Sequence, residues 1–215
     1  MFGEVEEIIN NGFIKEASIP YYDFSVHFKD DKYASIAISK KGGHVIYASL
    51  NRDVKESKIS HEEANKKGKE FLNSKGFKNM RETYFMKLEN IITINYAYEQ
   101  DGIIVYPDLI KVKIALDNGE ILGIETTGYL NSHTERELKE TKISMEEARS
   151  KINKNLEITS ERKAIIPTKW KTEILCYEFT GKVNDKEFLV YVNVETGKEE
   201  DILVILDTPG GTLTT

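Results

Sequence analysis

The sequence has few of the residues that build covalent or metal-bound frameworks. Cys176 is the only cysteine among 215 residues, so no intramolecular disulfide can form and a cysteine-rich metal site is excluded. Exported proteins can also lack disulfides, so this count does not fix the compartment. There are four prolines, and no proline-rich linker divides the chain.

Long apolar runs are also missing. No stretch approaches the ~20 apolar residues that a membrane-spanning helix needs. Residues 1–7 are acidic, whereas a signal peptide would begin basic and continue apolar. We therefore expect any export signal or membrane anchor of the native protein to lie outside this sequence.

The sequence also lacks an excess of basic residues. The chain carries 30 lysines and arginines against 36 acidic residues, a net charge of −6, which argues against a nucleic-acid-binding protein. Hydrophobic residues make up 40%, enough for a packed core. The length allows one large domain or two to three small ones.

What the sequence does contain is a repeated helix start. Ser144 is a good helix N-cap, and a glutamate three residues later can return a hydrogen bond to its backbone. The same arrangement surrounds Ser60, and the offset is 144 − 60 = 84 residues. A helix start that recurs at such a distance predicts an internal repeat.

Each helix start predicts an amphipathic helix. The first helix is expected to run to about Lys75, with Gly76 as the residue that ends it. Its apolar face combines Ala64, Gly68, Phe71 and Leu72. The second helix is expected to present Met145, Ala148, Ile152 and Leu156.

Strand-like sequence fills the remainder. Apolar residues alternate with polar ones, the period of a half-buried strand, in residues 22–28, 34–38, 92–98, 110–116, 175–179 and 188–194. Hairpin turns are predicted at Gly42-Gly43, Asn118-Gly119 and Thr196-Gly197. The last two glycines are 197 − 119 = 78 residues apart, close to the spacing of the helix starts.

These patterns predict an α+β chain of three units, each an antiparallel sheet with one packed helix. The units comprise residues 1–56, 57–140 and 141–215, and the first has strands only. By analogy we expect its helix upstream of Met1, and the chain to be the C-terminal part of a longer protein. Units this small have only a modest core and little stability of their own, so we expect contacts between neighbouring units.

The repeated Ser-x-Glu-Glu-Ala start, with a following strand and hairpin glycine, resembles the PepSY domain, which also occurs in propeptides of thermolysin-like proteases. Three further stretches resemble the YpeB family of spore-germination proteins over essentially the whole chain. They are Ile38-Ser39-Lys40-Lys41-Gly42-Gly43-His44-Val45, Leu50-Asn51-Arg52 and Asp207-Thr208-Pro209-Gly210-Gly211-Thr212-Leu213.

The resemblance implies a non-enzymatic protein, anchored through an N-terminal segment absent here, in the spore envelope on the outer side of the inner membrane. Its implied partner is a cortex-lytic enzyme resembling SleB, which it stabilises or restrains. An alternative is a propeptide-type protease inhibitor, and a third is an enzyme acting on cortex peptidoglycan.

Catalytic, cofactor-binding and metal-binding residues are not identified from the sequence. His61-Glu62-Glu63-Ala64-Asn65 starts like a zinc-protease helix but has Asn65 where the second histidine is needed. His27, His44 and His133 lack ligand spacing, and Cys176 is expected to be buried in a strand. Partner-binding residues stay unknown. Trp170 is a candidate anchor, although core packing is the expected role.

Overall fold

The computed structural model describes residues 3–30, 32–138, 140–170, 172–208 and 211–214. Pro209 and Gly210 of the C-terminal motif lie outside them. The strands are β1 (Val5–Ile14), β2 (Tyr21–Phe28), β3 (Tyr33–Ser39), β4 (Val45–Asn51), β5 (Met80–Leu88), β6 (Ile91–Gln100), β7 (Ile103–Ala115), β8 (Ile121–Glu125), β9 (Glu157–Pro167), β10 (Glu173–Val183), β11 (Lys186–Asn193), β12 (Glu199–Thr208) and β13 (Gly211–Thr214). The helices are α1 (His61–Ser74), α2 (Thr127–Ser132) and α3 (Met145–Lys151).

Three antiparallel meanders of four strands follow one another, β1–β4, β5–β8 and β9–β12. They join edge to edge, because β4 pairs with β8 and β13 lies between β12 and β5. A short parallel contact of β7 with β9 closes eight strands, from β5 to β7 and β9 to β13, into a ring. The α+β architecture is as predicted, and the unit boundaries stay predictions.

The first strand of every meander went unrecognised in the sequence. In β1, β5 and β9 apolar and polar residues do not alternate regularly. Charged or solvent-exposed residues occupy positions where a half-buried strand would have apolar ones. The short helix α2 was also not predicted. It packs on β7 and continues into the segment that leads to the third meander.

The helix α1 begins and ends where the sequence predicts. The Ser60 hydroxyl accepts a hydrogen bond from the Glu63 N–H at 3.2 Å, and the Glu63 carboxylate accepts one from the Ser60 N–H at 3.0 Å. Gly76 follows the helix with a φ of 88°, which suits glycine. Both bonds satisfy amides that a helix start leaves without partners.

The helix α3 is shorter than predicted. Ser144 caps it through the Glu147 N–H at 3.1 Å, but Ile152 is already extended, with φ −72° and ψ 149°. The side chain of Asn153 accepts a hydrogen bond from the Asn155 N–H at 3.0 Å, a local turn that competes with helix continuation. Ile152 and Leu156 still join Ala148 in one core cluster, although both follow the helix.

The core of the first two meanders is continuous. Buried residues of the first sheet, including Val26, Phe28 and Leu50, share a cluster with Ala64 and Leu72 of α1. A separate cluster lies beneath α3. In the described part of the chain, no helix is long and apolar enough to span a bilayer.

Candidate protein-binding surface

The histidine that begins α1 is engaged within the protein. His61 Nε2 lies 2.5 Å from a carboxylate oxygen of Glu82, whose other oxygen accepts a hydrogen bond from the Asn65 side-chain amide. The His61 ring also stacks on Phe85. Within the residues that the structure covers, no three His, Cys, Asp or Glu side chains gather in a way that could hold a metal ion.

A buried carboxylate secures the segment that follows α2. Asp108, which has no exposed surface, accepts two hydrogen bonds from the Arg136 guanidinium, at 2.7 and 2.9 Å. His133 Nδ1 lies 2.7 Å from the same carboxylate, and Arg136 also binds Glu173 of β10. Hydrogen bonds to Glu173, and then to Asp108, raise the pKa of Arg136. This network ties the second meander to the third.

A second buried carboxylate lies inside the ring of strands. Glu178 is 1% exposed and accepts hydrogen bonds from Arg162 at 2.6 Å and from the Tyr106 hydroxyl at 2.7 Å. Burial, followed by the negative charge of Glu178, raises the pKa of Tyr106. A cavity of about 350 Å³ adjoins this group, with Tyr191 in its wall. Because Glu178, Arg162 and Tyr106 hydrogen-bond to one another, we interpret this network as one that stabilises the fold.

The only cysteine is inert in the folded chain. Cys176 is fully buried in β10, as predicted, and burial raises the pKa of its thiol to about 12. A nucleophilic cysteine needs a lowered pKa and access to substrate. His27 and His44 are exposed.

Trp170 is the clearest departure from its expected role. Core packing was expected, yet the side chain is 88% exposed. It lies in the turn between β9 and β10, where Thr168 and Thr172 hydrogen-bond to each other and Thr168 accepts the Trp170 N–H. The turn fixes the backbone while the indole faces solvent. Its role as a partner anchor stays a prediction.

The edge strand β1 is the most extensive exposed apolar feature of the described chain. It pairs with β2 alone, so one edge of its backbone has no strand beside it. Besides Val5, four of its apolar residues are at least 39% exposed: Ile8, Ile9, Phe13 and Ile14. They lie on both faces, since Ile8 pairs with Val26 and Ile9 with Ser25. We call these four residues and the free backbone edge the β1 edge.

The β1 edge is only partly protected against pairing: its register with β2 shifts between Val5 and Glu7 and between Asn10 and Gly12, and such bulges are one protection of natural edges. Natural edge strands are usually short, charged or covered, because an open edge can pair with another chain. β1 is ten residues long, and its central residues are apolar or uncharged. An extended partner segment could add to it through backbone hydrogen bonds, with side-chain contacts on either face. The sequence signal is weak, because the apolar pairs Ile8-Ile9 and Phe13-Ile14 are separated by Asn10, Asn11 and Gly12 and do not alternate with polar residues.

Comparisons with known proteins agree with the architecture. The family model for YpeB sporulation, PepSY1 and PepSY2 domains matches residues 3–139, and the model described as peptidase propeptide and YPEB domain matches residues 142–203. The chain is thus a tandem PepSY protein. The boundary between the two matches falls in the segment that Arg136 secures.

Curated relatives give the same result. The chain is 36% identical to the sporulation protein YpeB of Oceanobacillus iheyensis over 86% of its own length and 41% of the relative's. It is 38% identical to that of Halalkalibacterium halodurans, over 77% of the chain and 37% of the relative. It therefore spans about two fifths of the relatives it matches.

A solved structure shares the fold. The Bacillus megaterium YpeB C-terminal domain superposes with a TM-score of 0.81 at 28% identity, over 94% of this chain and 89% of that one. The chain belongs to the YpeB family.

Proposed function

We propose that the protein is a non-enzymatic sporulation and germination protein that binds a cortex-lytic enzyme resembling SleB, and stabilises it or holds it inactive. The family supports the sporulation role, since the relatives are named sporulation proteins. The proposal extends to the spore envelope as the location, with anchoring by a further segment of the whole protein.

The observation that carries this proposal is the β1 edge. An open ten-residue strand with exposed Ile8 and Phe13 on one face and Ile9 and Ile14 on the other is suited to a protein partner. The buried carboxylates, by contrast, are bound by arginines and tyrosines of the protein itself. These features of the described residues therefore support binding of a protein partner more than they support catalysis.

The test is a binding titration of the protein against the purified lytic enzyme, with hydrolysis of cortex peptidoglycan followed in parallel. Ile8→Lys places a charge on the β1 edge, and Leu88→Lys places the same charge at another exposed leucine-sized side chain, 71% exposed at the end of β5. We expect Ile8→Lys to weaken binding at least tenfold and Leu88→Lys to leave it unchanged. Equal affinities for both variants would reject the β1 edge, and no binding by the wild type would reject the proposal.

The second candidate function is protease inhibition. It is favoured by the match of residues 142–203 to a family model that includes peptidase propeptides. A protease assay without any lytic enzyme separates the two, because only an inhibitor would lower the rate of proteolysis there. Release of muropeptides from purified cortex by the protein alone would instead establish an enzyme.

A further inference from the structure

The second and third meanders attach their helices to a hairpin in the same way. The N–H groups of Lys58 and Ile59, just before α1, both donate to the Leu116 carbonyl, at 2.7 and 2.9 Å. Before α3, the N–H groups of Lys142 and Ile143 both donate to the Val194 carbonyl, at 3.0 and 3.2 Å. One carbonyl at a hairpin thus fixes the entry of each helix.

A glycine completes each attachment site. A Cβ atom added to Gly119 would lie 3.2 Å from the Ile59 side chain, and one added to Gly197 would lie 3.3 Å from the Ile143 side chain. The side chain of a helix lysine also lies against each glycine, Lys67 at Gly119 and Lys151 at Gly197. The two glycines have φ values of 77° and 67°, so glycine supplies both the turn and the space for the isoleucine.

The first meander has the same hairpin. The Ser39 N–H donates to the His44 carbonyl at 2.8 Å, as the equivalent residues do in the other two hairpins. Gly43 then occupies the position of the two glycines above, with a φ of 65°. Lys40 occupies the position of Leu116 and Val194, so the attachment site is built three times.

In the first meander this site is open. Apart from Gly43 itself and its two chain neighbours, no atom of the described chain comes within 4 Å of a Cβ built on Gly43, and no backbone N–H in that part of the chain is seen to donate to the Lys40 carbonyl. The glycine is therefore placed as in the occupied sites, but without the isoleucine and the helix that cover its counterparts.

The adjoining sheet face is apolar. Phe24 pairs with Ile36 and Tyr22 with Ile38, so these four side chains share one face. Tyr22 is 38% exposed and Val45, beside the hairpin, is 40% exposed. A groove of about 610 Å³ runs from Gly43 to the end of α1, lined by residues such as Ile36, Phe71, Phe77 and Tyr129. The corresponding faces of the other meanders are covered by α1 and α3.

We propose that this face, from Tyr22 to Val45 with the Gly43 hairpin, is the docking site of an amphipathic helix of the same polypeptide, contributed by a segment outside the 215 residues. Two donors before the helix would bind the Lys40 carbonyl, and an apolar residue would cover Gly43. Acidic first turns, as in α1 and α3, would complement Lys40 and Lys41.

Two observations favour a helix of the same polypeptide at this site: the repeated order of helix and strands, and the length of the relatives. Each of the other two meanders receives its helix from the segment that immediately precedes its strands. The matched relatives contain more than twice the length of this chain, and the similar solved structure is named a C-terminal domain, so such a protein has chain to supply the helix. A helix of 14 residues, as long as α1, spans about 21 Å, enough to cross a four-stranded sheet. Phe13 of the β1 edge contacts Tyr22 on this face, but the helix site extends from Tyr22 towards β4 and away from the edge, so this inference does not depend on the proposed partner.

Photo-crosslinking in the full-length protein tests the proposal. A benzophenone amino acid is placed at Ile38, on the open face, and in a control at Ser35, on the opposite face of the same strand. We expect an intramolecular crosslink from position 38 to residues that precede Met1, at least fivefold more abundant than from position 35. Crosslinks formed only to a second copy or to another protein, or equal yields at both positions, would overturn the proposal.

Limited proteolysis of full-length variants gives a second measurement. Ile38→Glu should release the docked helix and raise the rate of cleavage before Met1 several-fold, whereas Ser35→Glu should not. An unchanged cleavage rate in Ile38→Glu would mean that no helix covers this face. Loss of lytic-enzyme binding alone, with unchanged cleavage, would count against docking of the helix and leave the proposed function standing.

Discussion

Arg136 binds Asp108 through two hydrogen bonds, of 2.7 and 2.9 Å, at a position where the Asp108 side chain is fully buried and the Arg136 side chain is 8% exposed. Asp108 belongs to β7, and Arg136 lies in the segment between α2 and α3. Because Arg136 also reaches Glu173 of β10, one side chain joins the second meander to the third.

Breaking this pair should destabilise the protein strongly. Asp108→Asn removes the buried negative charge that pairs with the nearly buried Arg136 side chain, and loss of one charge of a buried ion pair costs about 3 kcal/mol or more. Urea unfolding measures the loss. The control is Lys29→Met, which breaks an exposed pair with Glu4 and should shift stability by less than about 0.5 kcal/mol. Equal losses in both variants would contradict a structural role for Arg136.

Gly68→Ala should destabilise α1 although alanine favours helices. A Cβ at Gly68 would lie 2.3 Å from the Tyr96 hydroxyl and 3.2 Å from Ile114, and Tyr96 is fully buried. We expect a loss of about 1–3 kcal/mol from overpacking, against a gain of up to about 1 kcal/mol in helix propensity.

The double variant Gly68→Ala/Tyr96→Phe separates these effects. Removal of the hydroxyl makes room for the methyl group, so the double variant should lose less than the sum of the single variants. Thermal unfolding of the wild type, both single variants and the double variant measures these losses of stability. Simple additivity would mean that the helix moves away from the sheet instead of meeting Tyr96.

Stability should fall at alkaline pH because of Cys176. Its folded pKa is raised to about 12 by burial, whereas an unfolded thiol titrates near 8.5. The unfolded state therefore loses its proton first, and the stabilisation present below pH 8.5 is lost as the pH rises towards 12. Between pH 9 and 10 the loss approaches about 1.4 kcal/mol per pH unit.

Cys176→Ala provides the comparison. It should be less stable at pH 7 because it leaves a small cavity, but its stability should decline less steeply between pH 9 and 10. Chemical denaturation at several pH values measures both slopes. Identical slopes would show that the thiol does not cause the decline.

Trp170→Ala should leave the fold intact. The side chain is 88% exposed, and such substitutions usually change stability by less than about 0.5 kcal/mol. Since Trp170 is the only tryptophan, acrylamide quenching of the wild type should show a solvent-exposed indole. A shift of its emission to the blue upon addition of the lytic enzyme would identify it as part of the interface, and an unchanged spectrum in a saturated complex would exclude it.

Local features of this protein follow from the sequence. The Ser60 and Ser144 caps and the turn at Gly119 depend on residues within a few positions, and the structure confirms them. Burial of Cys176 follows from its neighbours in a strand. The end of α3 was wrong because the turn at Asn153 outweighs a continued apolar period.

The sequence by itself determined the repeated α+β plan and the family, since caps, strand periods and hairpin glycines are short-range signals. The tertiary structure alone decided the joining of the meanders into one sheet, the burial of Asp108 and Glu178 beside arginines, and the exposure of Trp170. Those outcomes depend on contacts between residues far apart in the chain, such as Tyr106 with Glu178, for which no local pattern exists.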